Sequence, residues 1–164
     1  MILNYAFLKE QAILWSMVIL AHIPIPMHNI VYIIPDITLL YVVYISILYN
    51  KYSFLLLAII AGAFDDIASG NIVGITSLEF AIAGCYFYYL KPTPQSSFVC
   101  LWGSASIVIF ICYIARNIVN YIFIYEHIFN YQDFLVYIVT MAFYPFAYFV
   151  FDKILSRGRV KYEG

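Results

Sequence analysis

The chain has 164 residues, 65% of them hydrophobic and only 10% charged, with eight basic residues against nine acidic ones and a net charge of -1. Soluble domains carry roughly 25% charged residues, so the composition specifies an integral membrane protein with no length left for a second folded domain. A near-neutral balance supplies no basic footprint for nucleic acid.

Six apolar segments follow in chain order, and they predict an all-α integral membrane protein, a six-transmembrane-helix bundle. The first covers residues 11–25, short of the ~20 residues a span normally uses, so it is expected to recruit part of Tyr5 to Leu8 or to tilt little. Lys9 and the apolar run after it fit a signal peptide, but no small-x-small cleavage site follows and Pro24 and Pro26 do. The expectation is an uncleaved first span. Pro24, Pro26, His28 and Asn29 make the first loop. The second span is 30–49, with Pro35 and Asp36 near its start, where proline is tolerated in a first helical turn and an aspartate caps the helix and meets its positive end. Asn50 to Ser53 form a turn.

The third and fourth spans, 54–68 and 72–90, enclose the most informative stretch, AIIAGAFDDIASGNIVGITSLEF from Ala58 to Phe80. Carboxylates at membrane depth are costly and face a bundle interior, a partner or water. This stretch carries Asp65, Asp66 and Glu79. Its glycines, Gly62, Gly70 and Gly74, suit close backbone approach or a sharp turn. Gly62, Asp66 and Gly70 recur every four residues and share one helical face. Asp65 points about 100° away from Asp66, so the pair makes a poor catalytic dyad.

Lys91 to Ser97 form a loop with two prolines. The fifth span, 100–125, contains Arg116, Asn117 and Asn120. A polar loop from Glu126 to Asp133 leads to the sixth span, 134–151, in which Pro145 predicts a kink. A tail follows with Lys153, Arg157, Arg159 and Lys161.

Charge orients the bundle. With six spans, one side receives Lys9, Lys51, Lys91 and the four basic tail residues, while the opposite loops receive none. Basic loops stay in the cytoplasm, so both termini are expected there. Arg116 then lies ~13 Å below the outer end of its segment. Asp36, Asp65, Asp66 and Glu79 fall in the same outer half. Pairing with a carboxylate offsets part of the cost of burying a guanidinium, and Asp66 is the expected partner of Arg116.

No chemistry of catalysis stands out. His22, His28 and His127 lack metal-ligand spacing and read as interfacial residues. Cys85, Cys100 and Cys112 sit in or beside apolar runs without CxxC spacing and read as packing residues. The chain has no GxSxG, HExxH, Walker A or Rossmann glycine pattern. Neither a cofactor nor a metal is expected, nor any enzymatic turnover.

One family resemblance rests on particular residues. LAHIPIP, then PDITLLYVVY, then GAFDDIASGNIVGITSLEF resembles the rod shape-determining protein MreD family. The pattern is carried by Pro24 and Pro26, Pro35 and Asp36, Gly62 with Asp66, Ser69 and Gly70, Gly74, and the Tyr144-Pro145-Phe146 element before the basic tail. Asp65 departs from it, because the family has an apolar residue there. The resemblance implies a non-enzymatic component of the bacterial cell-elongation machinery in the cytoplasmic (inner) membrane. Its implied partners are MreC, the cytoplasmic MreB filament, and the peptidoglycan synthases RodA and a class B penicillin-binding transpeptidase. A more distant likeness is to the six-helix substrate-binding components of energy-coupling-factor vitamin transporters. Those dock their ATPases through small residues four apart in the first span, whereas Ala12 and Ala21 here are nine apart.

Overall fold

The computed structural model describes residues 5–22, 34–48, 52–90, 97–124 and 131–159. The described residues form six helices: α1 (Tyr5–Ala21), α2 (Ile37–Leu48), α3 (Tyr52–Ser69), α4 (Ile75–Leu90), α5 (Phe98–Ile124) and α6 (Tyr131–Arg159). Two of them, over Phe98–Phe123 and Tyr131–Leu155, are long and apolar enough to cross a membrane.

The helices form a ring closed by a central contact. Around the ring α1 packs on α3, α3 on α4, α4 on α5, α5 on α6, α6 on α2 and α2 on α1, while α2 and α4 meet across the middle. The sequence of α2 explains its place. ITLLYVVYISIL is apolar all round, and such a helix is stable only when enclosed. Every residue from Thr38 to Ser46 is buried. Tyr41 and Tyr44 bury whole rings, each edge-on to Phe151 or Tyr148 of α6, and each hydroxyl finds an acceptor. Tyr41 donates to the Glu10 carbonyl at 3.0 Å and Tyr44 to Asp152 Oδ1 at 3.3 Å.

Helix boundaries differ from the sequence expectation where local chemistry overrides hydropathy. α1 does take in the Tyr5–Leu8 stretch expected to lengthen the first span, and Lys9, the next residue, reaches the Ile154 carbonyl at 3.0 Å. Beyond His22, the predicted first span and the His28 loop lie outside the described residues, as do residues 30–33 of the second. α2 starts only at Ile37, so Pro35 is not inside its first turn. Proline disfavours helical geometry in the residue before it, and Asp36 takes the cap position. Its Oδ1 accepts from the Leu39 N–H at 2.9 Å and the Thr38 hydroxyl at 2.6 Å, while its carbonyl accepts the first helical bond from Leu40. With 12 residues, α2 is ~18 Å long, shorter than a hydrocarbon core of ~30 Å.

α2 also starts deep. The Asp36 N–H donates to Thr140 Oγ1 at 3.0 Å, and Thr140 lies nine residues into α6, ~13 Å along it. Thr140 is fully buried, and its own hydroxyl donates a hydrogen bond to the Val136 carbonyl. At its other end α6 runs eight residues past the predicted stop at 151, into the basic tail. Loss of hydropathy marks a change of surroundings, not the end of a helix. Pro145 lies inside this single continuous helix.

Candidate functional site

The α3–α4 hairpin is built by backbone chemistry that its sequence spells out. Gly70 takes φ +70°. The Asn71 N–H donates to the Asp66 carbonyl at 3.0 Å and the Gly70 N–H to the Ile67 carbonyl at 3.3 Å. This pair of bonds is a Schellman motif, which satisfies carbonyls left over at a helix end. Gly74, at φ +112°, starts α4; its carbonyl accepts the first helical bond, from Leu78 at 2.8 Å. The predicted start at residue 72 is therefore three residues early, because a left-handed Gly74 cannot lie inside the helix.

Asp66 fastens the two halves of this hairpin. Its carboxylate is fully buried and accepts the Gly74 N–H at 2.7 Å and the Thr76 N–H at 3.1 Å. It thus caps α4 from the preceding helix, where the free N–H groups and the helix dipole favour a negative charge. The expected Asp66–Arg116 pair is not formed. Main-chain donors satisfy Asp66, and Arg116 has another partner. One turn along α3, Gly62 lets the crossing close. A Cβ at Gly62 would stand 2.7 Å from Ser77 N and 2.9 Å from Thr76 C. Ser77 adds a bond from its hydroxyl to the Ile59 carbonyl at 2.8 Å.

The partner of Arg116 is Glu79. Arg116 Nε donates to Oε1 at 2.7 Å and Nη2 to Oε2 at 3.2 Å. The Tyr137 hydroxyl donates to the same Oε1. Glu79 has no exposed surface, whereas the Arg116 side chain keeps 23% of its own. Three helices meet at this carboxylate: α4 brings the acid, α5 the guanidinium and α6 the phenol. The Cys112 thiol adds a contact to the Glu79 carbonyl at 3.5 Å, and the Tyr113 ring lies 5.1 Å from that of Tyr137. A two-point Arg–carboxylate bond fixes orientation as well as charge. The cluster lies within a turn of Thr140 along α6, so it stands beside the deep N-terminus of α2.

A second polar contact joins α1 to α3. His22 Nδ1 is 2.8 Å from the Val18 carbonyl, Nε2 is 2.9 Å from Ser69 Oγ, and Asp65 Oδ1 is 3.8 Å from Nδ1. Asp65 therefore faces α1 with only 17% of its side chain exposed. His22 was read as a plain interfacial residue. The Gly70 and Asn71 N–H groups beside Ser69 already serve α3 carbonyls, so Ser69 has no oxyanion donors there. Among the described residues, no group of three or more His, Cys, Asp or Glu is placed to hold a metal ion.

Sequence reasoning found Asp36, Asp66, Glu79 and Arg116 but assigned the partners of two of them wrongly. It missed Tyr137, Thr140 and His22. The chain has seventeen tyrosines, and nothing in the local sequence sets Tyr137 apart. A buried Thr on an otherwise apolar helix was the available signal for Thr140.

No curated protein and no solved structure matches the chain. The profile of the rod shape-determining protein MreD family matches residues 2–154. That span takes in every cluster described above. It covers all but the last residues of α6 and agrees with the resemblance carried by the proline, glycine and aspartate positions. The chain belongs to the MreD family of membrane proteins, which act in rod-shape determination.

Proposed function

We propose that this protein is a non-enzymatic scaffold of the bacterial cell-elongation machinery, a single transmembrane domain of six spans in the inner membrane with both termini in the cytoplasm. It joins MreC and the wall synthases, RodA and a class B penicillin-binding transpeptidase, to the MreB filament beneath the membrane. Membership of the MreD family over residues 2–154 carries this reading. The one-sided distribution of basic residues supports the orientation.

The use of the buried charges supports a scaffold. Asp66 ties α3 to α4, and Glu79 with Arg116 and Tyr137 ties α4, α5 and α6 together. Pro35, Asp36, Gly62, Gly70, Gly74 and Pro145 belong to the same frame as cap, crossing, turn and mid-helix positions. A frame so fastened presents fixed outer faces to partner spans. Crosslinking in native membranes followed by purification tests the reading. Recovery of MreC is the expected outcome. Recovery of an ATPase pair without MreC would replace the scaffold by a transporter component.

A further inference from the structure

One hydrogen bond joins the side of α5 to a gap in α6. Pro145 lies inside α6 and has no N–H, so it cannot donate to the Met141 carbonyl one turn earlier, and its ring crowds that carbonyl. Within lipid, a main-chain group freed by proline has to be met from a neighbouring helix. The indole of Trp102 on α5 meets this one, its Nε1 donating to the Met141 carbonyl at 3.2 Å. Trp102 stands at the rim of the bundle, 40% exposed, and outside the core.

The break divides α6 into halves that are held unequally. The outer half carries Tyr137, which donates to the buried Glu79 carboxylate, and Thr140, which accepts from the Asp36 N–H at 3.0 Å. These bonds lie inside the bundle and are directional. The inner half has two bonds to other helices at its far end. Tyr44 donates to Asp152 at 3.3 Å, long for a hydroxyl donor, and Lys9 reaches the Ile154 carbonyl from an exposed position. The rest of its hold is packing, with the rings of Tyr148 and Phe149 against Phe98 and that of Phe151 against Tyr41. Apolar burial is non-directional, so it holds the inner half near its neighbours without fixing an angle.

We propose that Trp102 is the latch of a hinge at Pro145. While its indole holds the Met141 carbonyl, the inner half of α6 keeps one angle to the outer half; without that bond the inner half swings. A swing of about 20° at residue 145 is the scale of a proline kink, and it moves Lys153, ~12 Å further along the helix, by ~4 Å. The outer cluster of Glu79, Arg116 and Tyr137 stays in place. The displacement falls on the other end of α6, which carries Lys153, Arg157 and Arg159. The inference stands apart from the scaffold reading, since it concerns how α6 is held and not what α6 meets.

The test is a pair of spin-label distances in bilayers, in a full-length background without Cys85, Cys100 and Cys112. Labels at Tyr89 of α4 and Lys153 of α6, both exposed, follow the inner half. Labels at Leu78 and Ile138, also exposed, follow the outer half. Trp102→Phe keeps a ring but loses the N–H. It should shift or widen the inner distances by ~4 Å, the displacement of a kink of about 20°, and leave the outer distances as they are. Pro145→Ala gives the Met141 carbonyl a donor within its own helix. Added to Trp102→Phe, it should restore the inner distances of the parent, and alone it should leave them narrow. Inner distances unchanged by Trp102→Phe would overturn the latch. So would an equal change when Pro145→Ala is present, or an outer pair that widens as much as the inner one. If Trp102→Phe fails to accumulate, the double variant decides: recovery of folded protein supports the latch, and no recovery overturns it.

Discussion

Gly62 faces the backbone of Ser77 so closely that a Cβ on it would lie 2.7 Å from Ser77 N and 2.8 Å from Ser77 Cα. These are main-chain atoms in the first turn of α4, so no side chain can rotate aside. Gly62→Ala must push α3 and α4 apart, and with them the Asp66 cap one turn away. Overpacking of a core costs ~1–3 kcal/mol, and loosening the cap adds to it. Thermal unfolding in detergent should show a clear fall in melting temperature. Gly103 supplies the internal control, because a Cβ there meets nothing within 4 Å. Gly103→Ala should be neutral or stabilise the helix by up to ~1 kcal/mol. Equal effects of the two changes would show that the α3–α4 crossing does not depend on Gly62.

Asp66→Ala strands the N–H groups of Gly74 and Thr76 in the interior. Each unmade buried hydrogen bond costs ~1–3 kcal/mol, so the variant should accumulate poorly and melt early. Asp66→Asn keeps one acceptor oxygen but loses the charge at the start of α4, and should fall between. Asp65→Leu should be milder than either. Asp65 sits 3.8 Å from His22 without a hydrogen bond, and both side chains are partly exposed. Pairs of that kind contribute ~0–1 kcal/mol. Immunoblots and melting curves of the three variants give the ranking, and greater damage from Asp65→Leu than from Asp66→Ala would reverse the assignment of the inward carboxylate.

How far the sequence could be read is clear from these same residues. Hydropathy and turn residues located all six helices, since apolar runs and Gly or Pro breaks are local signals. The spacing of Gly62, Asp66 and Gly70 placed them on one face; the structure puts Gly62 and Asp66 against α4, whereas Gly70 lies just past the end of α3, exposed in the left-handed turn. Partner choice was not legible. Arg116 had four carboxylates at a compatible depth, and depth along the membrane normal says nothing of angle around the ring. Only the packing of α4 between α3 and α5 decides that Glu79 meets Arg116 while Asp66 turns to its own hairpin. The approach of Asp65 to His22 was not legible either, because His22 lies just beyond the last helical residue of α1.

The orientation is tested by labelling single cysteines in a background without Cys85, Cys100 and Cys112. Asn71 lies exposed in the α3–α4 turn, whereas Ser97 and Lys153 are exposed near the opposite ends of α5 and α6. An impermeant thiol reagent added to intact spheroplasts should label Asn71→Cys and spare the other two. Permeabilised cells should allow labelling of all three. Labelling of Ser97→Cys from outside would overturn the six-span topology with cytoplasmic termini, whatever the family assignment.

The Glu79–Arg116–Tyr137 cluster predicts an order of damage that a simple count of contacts does not. Arg116→Met leaves Glu79, fully buried, with a negative charge and only the phenol against it. Breaking a buried pair from one side costs ~3–5 kcal/mol, with smaller values expected inside membranes. Glu79→Leu leaves the cation, but 23% of the Arg116 side chain is already exposed and a long basic side chain can carry its charge outward. It should be the milder single change. Tyr137→Phe removes one hydrogen bond to a charged group, worth ~1.5–3 kcal/mol, and leaves the ion pair intact. The double variant Glu79→Leu with Arg116→Met should be more stable than Arg116→Met alone, because apolar side chains of similar volume replace a buried ion pair at little or no cost. Exchanging Asp66 and Arg116 should rescue nothing, since the bonds of Asp66 go to main-chain N–H groups that no side-chain swap restores. Melting temperatures of the singles and the double close the cycle. If the double variant is no better than Arg116→Met, the two charges do not act on each other and the cluster does not hold α4 to α5.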